Sequence, residues 1–262
     1  MGGAAIAGTL FIGTDTFVFN NLNVSYLMKA TVNGSTFVSQ TNIPLNFALN
    51  GIGDGPGFLY AGDPNTNTLN TVSYNGTLLS SVTGGFPNNC CNEEMQFAGG
   101  KLYHAHYSDV IQQIDPVTGG LLASFNQFSV VGMALVGNTI WITDWTDKKV
   151  GTWDPNTNTF VPIFTTPDLA GALAYDPTAG ILWVGQNGGL VLPYDTAGNL
   201  LGAGFNPVAN LIASEGLTGV NIDTVDGLTF QGEGTQTVPE PASLALLGLA
   251  LAGLGFSRRK QA

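Results

Sequence analysis

The chain has 262 residues, 44% of them hydrophobic and 10% charged, with a formal charge of −11. Seventeen of its 18 acids but only four of its 7 bases precede residue 238, which leaves that part at −13. This balance argues against a nucleic-acid partner, since phosphates require a basic footprint, and suits an exported protein kept soluble by an acidic, Asn-, Thr- and Gly-rich surface. A divalent cation such as calcium is the other use for so many acids, although no D-x-[DN]-x-[DN]-G loop occurs.

The chain opens MGGAAIAGTLFIGTDTF and has no Lys or Arg before Lys29, so it lacks the basic start of an export signal. Met1–Ile12 reads either as a degenerate signal or as the interior of a longer gene product whose repeats have already begun. The second reading fits the strand pattern of the chain. A short strand signature recurs as LFIG at Leu10, LYAG at Leu59, LYHA at Leu102, IWIT at Ile140 and LWVG at Leu182. Successive starts lie 49, 43, 38 and 42 residues apart, within the range of propeller blades.

Around each signature stand further strand-like runs separated by turns. The fourth unit reads VGMALVG, TIWITDW, KKVGTWD and FVPIF; the third reads EMQFAG, KLYHAHY, VIQQID and LLASF; the fifth reads GALAYDP, ILWVGQ, LVLPYD and LLGAGF. Asp63-Pro64, Asp115-Pro116, Asp154-Pro155 and Asp176-Pro177 mark boundaries, because Pro presets φ and Asp bonds its own downstream backbone. Almost no helical periodicity appears before residue 238. Residues 1–237 are therefore predicted to be all-β, a five- or six-bladed β-propeller of four-stranded blades. DGLTF, near the end of this region, resembles the first strand of another unit, and because closure commonly pairs terminal strands in one blade, five and six blades both remain open. A β-sandwich is the alternative that short strands and frequent turns also allow. The repeated strand order resembles the broad group of NHL, YVTN and related bacterial propellers, a resemblance that implies no single function.

Candidate sites are few. Cys90 and Cys91 are adjacent in FPNNCCNEE, where they could form a strained vicinal disulfide, remain a reactive pair, or bond between molecules or to a metal. His104 and His106 sit two apart on LYHAHY, so alternation places both rings on one face. That spacing can hold zinc if Glu93, Glu94 or Asp109 supplies a third ligand; the plainer reading is two polar residues on an exposed or channel-lining face. Tyr103, Tyr107, Trp141, Trp145, Trp153 and Trp183 suit packing between blades, or stacking on sugars where exposed. No G-x-S-x-G elbow, P-loop or Rossmann fingerprint occurs, so no catalytic residue is assigned and no cofactor is expected.

The last segment, 238–262, reads VPEPASLALLGLALAGLGFSRRKQA. Pro239, Glu240 and Pro241 precede an uncharged run, and Arg258, Arg259 and Lys260 come after it. Fifteen helical residues span roughly 22 Å, short of a hydrocarbon core of roughly 30 Å, but the basic side chains can snorkel and lengthen the span. A single transmembrane helix is predicted over about 242–257, with the C-terminus cytoplasmic and the propeller outside. An amphipathic or buried terminal helix is the bland alternative, which the lack of a polar face disfavours.

The order of triplet, apolar run and basic cluster resembles the bacterial PEP-CTERM sorting signal. Pro239, Glu240 and Pro241 match its triplet, and Arg258, Arg259 and Lys260 its basic end. The resemblance implies export, transient residence in the inner membrane, and processing near the triplet by exosortase. The final location it implies is the cell surface or exopolysaccharide matrix. Together these features predict a surface or exopolysaccharide-associated propeller that binds envelope components. A secreted propeller enzyme, such as a metal-dependent lactonase or lyase, is the rival reading.

Overall fold

The computed structural model describes residues 7–14, 25–63, 66, 68–83, 92–106, 109–220 and 224–233. Within them lie five antiparallel sheets. Blade I holds β1 (Ala7–Gly13), β2 (Ser25–Asn33) and β3 (Thr36–Leu45). Blade II holds β4 (Ile52–Asp54), β5 (Leu59–Asp63), β6 (Thr68–Val72) and β7 (Leu78–Thr83). In blade III come β8 (Asn92–Ala98), β9 (Lys101–His106), β10 (Val110–Ile114) and β11 (Leu121–Asn126). Blade IV continues with β12 (Val130–Val136), β13 (Thr139–Asp144), β14 (Lys149–Asp154) and β15 (Thr159–Thr165). Blade V holds β16 (Ala170–Asp176), β17 (Ile181–Gln186) and β18 (Val191–Tyr194). The last strand, β19 (Gly227–Phe230), returns to pair with β1 as the inner strand of blade I.

The inner strands β4, β8, β12, β16 and β19 touch one another in cyclic order, so the ring closes with five blades. This resolves the choice between five and six. The recurrent LFIG-type segments are the second strand of every blade, β1, β5, β9, β13 and β17. Their alternate side chains serve different junctions. Trp141 packs with Leu182 and Tyr194 between blades IV and V, whereas Ile140 and Ile142 pack with Tyr103 and Trp153 between III and IV. Each of the five junctions thus has its own apolar cluster, and each large side chain in it contributes about 1.5–3 kcal/mol.

Close approach at the axis depends on small residues. A Cβ on Gly132 of β12 would lie 2.9 Å from the backbone of Ala172 in β16, and one on Gly227 would lie 2.7 Å from the carbonyl of Asn50. The Asp turns behave as their chemistry requires. Asp115 Oδ1 accepts the N–H groups of Val117 and Thr118, and Asp176 Oδ1 those of Thr178 and Ala179.

Two expectations need correction. LLGAGF, read as a full fourth strand of blade V, makes only the isolated bridges Tyr194↔Leu200 and Val191↔Phe205; its two glycines stack no side chains to sustain a ladder. The region before residue 238 also contains a helix, α1 (Pro207–Glu215). Asn206 caps its N-terminus by accepting from the Ala209 N–H, Pro207 presets its first turn, and Gly216 ends it in the left-handed conformation. Only Pro207, Val208 and Leu211 are buried, so nine residues yield too short a stripe to register as periodicity. Among the described residues no helix is long and apolar enough to cross a membrane; the helix predicted over about 242–257 lies outside them.

Candidate functional site

The propeller axis poses a chemical problem that its residues solve. Inner strands turn one edge toward the axis, and the N–H groups on that edge have no neighbouring strand to bond. Glu94 of β8 answers it. Its Oε2 accepts the N–H groups of Leu173 at 2.7 Å and Met133 at 3.3 Å, and its Oε1 that of Leu228 at 2.6 Å. One carboxyl from blade III therefore ties blades IV, V and I together.

Two residues further along the same strands, Glu233 repeats the device. It accepts the N–H of Leu135 at 2.8 Å and of Phe230 at 3.0 Å, and it also takes the Tyr175 N–H. Blade II contributes Asp54, which accepts the Tyr74 hydroxyl at 2.7 Å and the Gly232 N–H at 2.9 Å. All three acids are buried. Burial pushes the Glu94 carboxyl well above the usual carboxylate range, and Glu233 nearby adds to the rise, against the pull of the three N–H groups. Burial likewise lifts Glu233 to about 8, with Asp54 as a smaller cause. Part of the acidity read as surface charge is thus an internal scaffold.

Strand register explains the choice of Glu94. Met95, Met133, Leu173 and Leu228 each oppose the third position of the signature strand, as does Ile52 in blade II. The residue before each is Glu94, Gly132, Ala172, Gly227 and Gly51 respectively. Four blades place a small residue at this level, and one glutamate fills the space they leave. That break in the repeat was the available signal for a site that sequence reasoning missed.

His104 and His106 do share one face of β9, with ring centroids 6.1 Å apart. The face is neither exposed nor lining an open channel: both residues are buried, and Leu102, on the same alternation, packs against Tyr60 and Leu69 between blades II and III. The other blades place Ile12, Ala61, Ile142 and Val184 where His104 stands. Burial in that apolar position lowers the His104 pKa to about 3, aided by His106, and burial lowers His106 as well. The three acids considered as companions do not gather there as a set: Glu94 points to the axis, and Asp109 Oδ1 accepts the Ser129 N–H at 2.6 Å. Among the described residues no three His, Cys, Asp or Glu side chains converge as a metal site would require.

Tyr103, Trp141, Trp153 and Trp183 are buried at the blade junctions, and Trp145 is half-buried beside Gly171. A groove of about 400 Å³ between blades III and IV is lined by Tyr103, Trp153, Asn138, Thr139, Asp154 and Asn156, but its aromatic rings are packed below the polar rim. Tyr107, Cys90, Cys91, the Pro239–Pro241 triplet and the basic cluster Arg258, Arg259 and Lys260 lie outside the described residues.

Residues 237–260 match the PEP-CTERM protein-sorting motif, which indicates an exosortase-targeted, exported protein and implies membrane anchoring of the precursor through its C-terminal end. No curated protein matches the chain. Among solved structures, a chain in the nidogen/laminin complex is similar over 86% of this chain and 98% of its own, with 12% identity and a TM-score of 0.54. A Myxococcus xanthus glutaminyl cyclase is similar over 62% of this chain and 79% of its own, with 15% identity and a TM-score of 0.47. At these identities the likeness concerns fold alone, and the propeller is established by its own five sheets and closed inner ring.

Proposed function

We propose that residues 1–237 form a non-enzymatic binding module and that 238–262 deliver it to the cell surface or exopolysaccharide matrix. The precursor sits in the inner membrane with the propeller outside and Arg258, Arg259 and Lys260 on the cytoplasmic side, until exosortase acts near Pro239, Glu240 and Pro241. The observation that carries this reading is the sorting motif at 237–260 placed after a propeller whose axial carboxyls are already engaged by backbone N–H groups. Such carboxyls serve to hold blades together, which leaves loops and outer surfaces for partners in the envelope or matrix.

Fractionation of a tagged full chain in an exosortase-containing host, beside a variant with Pro239, Glu240 and Pro241 replaced by Ala, tests delivery. The wild type is expected to be shortened and to leave the membrane fraction, with the variant retained at full length. Identical processing of both would overturn the sorting role. Matrix pulldown tests binding, and stoichiometric metal with turnover of lactones in the purified protein would instead favour the metal-dependent enzyme.

A further inference from the structure

Four Asn-Gly pairs punctuate the chain, beginning at Asn33, Asn50, Asn75 and Asn187. Such a pair carries the means to modify itself. The glycine nitrogen can attack the Asn side-chain carbonyl carbon when that nitrogen is not engaged and the turn has room to pivot, and a glycine puts no Cβ in the way. The fold treats the four pairs differently.

Three of them are held. Asn50 is buried, its N–H donates to the Gly62 carbonyl at 3.2 Å, and the Gly62 N–H donates to the Gly51 carbonyl at 3.0 Å. At Asn75 the attacking group is itself engaged, since the Gly76 N–H donates to the Ser73 carbonyl at 2.9 Å. The Ser73 and Thr77 hydroxyls both donate to Asn75 Oδ1, and a Cβ on Gly76 would lie 2.5 Å from Ile43 of β3, so this turn has no room to move. The Asn187 N–H donates to the Leu169 carbonyl at 3.0 Å, and its Oδ1 accepts the Thr224 hydroxyl at 3.3 Å. The Gly188 carbonyl is fixed as well, accepting Asn206 Nδ2 at 2.8 Å.

The pair Asn33-Gly34 has none of these restraints. Asn33 is exposed at the tip of the β2–β3 hairpin, and Gly34, with φ of 55°, is the first of the two turn residues. Among the described residues neither the Asn33 side chain nor the Gly34 N–H makes a hydrogen bond, and nothing lies within 4 Å of a Cβ built on Gly34. Beyond a bulge at Val38 only the pairs Asn33↔Thr36 and Val32↔Phe37 hold the tip, so it can fray while the blade stays intact.

We propose that Asn33 is a site of spontaneous deamidation and isoaspartate formation. The Gly34 nitrogen bonds to Asn33 Cγ, and the side-chain nitrogen leaves as ammonia, carrying the former amide proton, so that a cyclic imide closes. Water then opens the ring, its hydroxyl going to carbon and its proton to nitrogen. Cleavage between Cγ and the nitrogen gives aspartate; cleavage between the Asn33 backbone carbonyl carbon and the nitrogen gives isoaspartate, with the main chain rerouted through Cγ. Either product adds a negative charge, and the second also lengthens the backbone of the turn. That turn touches a neighbour: Ser35 Oγ donates to the Leu201 carbonyl at 3.2 Å and so joins blade I to the outer segment of blade V. Isoaspartate at Asn33 therefore loosens a contact between these two blades.

The test is peptide mapping by mass spectrometry of the full chain in detergent, aged in mildly alkaline buffer both folded and in urea. In the folded protein Asn33 is expected to exchange amide for acid about tenfold or more faster than Asn75 or Asn187, with isoaspartate reported by an isoaspartyl methyltransferase. In urea, where the restraints are gone, the four pairs are expected to react at similar rates. Asn33→Gln, which must close a larger ring, is expected to remain unmodified at that position. In the isoaspartyl fraction, amide hydrogen exchange is expected to rise about tenfold over residues 34–37 and 200–202. An Asn33 that reacts in urea but stays intact in the folded chain overturns the proposal, as does an Asn75 or Asn187 that reacts as fast in the folded chain. Unchanged exchange over 200–202 overturns the coupling to blade V.

Discussion

The axis and the rim of this propeller reverse the usual distribution of polar and apolar groups. Glu94 and Glu233 are buried at the centre, while Leu79 and Leu122 are exposed at the periphery. The difference arises from what each region must satisfy. At the centre, five inner strands meet with unpartnered edges that no sixth strand can reach, and a carboxyl bonding three of them is the compact answer. At the periphery the last strand has water on one side, so its edge costs nothing to leave open and remains available to another molecule.

The largest expected effect lies at the axis. Replacing Glu94 by Ala leaves three buried N–H groups without their acceptor, at about 1–3 kcal/mol each, partly offset by removing a buried acid. A net loss of about 3 kcal/mol or more in equilibrium urea unfolding is expected. An unchanged midpoint would show that the blades do not depend on this carboxyl.

A pH titration sharpens the same contrast. Glu233 is lifted from 4.5 to about 8, so the native state holds its proton more tightly than the unfolded chain. Its contribution to stability is therefore fully present below about 4.5 and declines as pH rises to about 8, with Glu94 acting in the same direction. Thermal melts are expected to shift downward by about 10 °C or more across that window, and Glu233→Gln should flatten the dependence. A melting temperature that instead rises between these limits would place the axial acids among ordinary stabilised carboxylates. The smallest effect belongs to the rim, where Leu79→Ser is expected to change unfolding free energy by no more than about 0.5 kcal/mol. A larger loss would mean that Leu79 packs within its own copy.

Legibility in the sequence divides along the same line. Strand order, the signature segments and the Asp turns repeat at short range, so Asp115 and Asp176 announce their turns without any tertiary context. The axial function of Glu94 depends on Met133, Leu173 and Leu228, residues that come near it only after the ring closes. Beside Glu93 in a polar stretch it reads as one more surface acid or as a companion to His104 and His106, not as an axial group. His104 misleads for a related reason: alternation correctly puts it beside His106, but cannot tell a packed junction from an open face. Helix α1 is readable from Asn206, Pro207 and Gly216, yet escapes a search for periodicity because its apolar stripe is only three residues deep. The outward leucines of the rim are legible only through register, which places a bulge at Leu79 and another at Leu122.

The return of β19 to β1 also has a mechanical meaning. Leu10 to Gly13 face Phe230 to Gly227 in antiparallel register, and Glu233 stands three residues later at the hub. Glu233 thus places the end of the described residues at the centre of the ring, so a pull applied at Glu233 acts on the hub. The first connections to bear it are the Glu233 hydrogen bonds, and behind them the strand that shuts the ring. Tension that drew β19 away would unlatch the circle at blade I, leaving β1, β2 and β3 and the other four sheets each still hydrogen-bonded within itself.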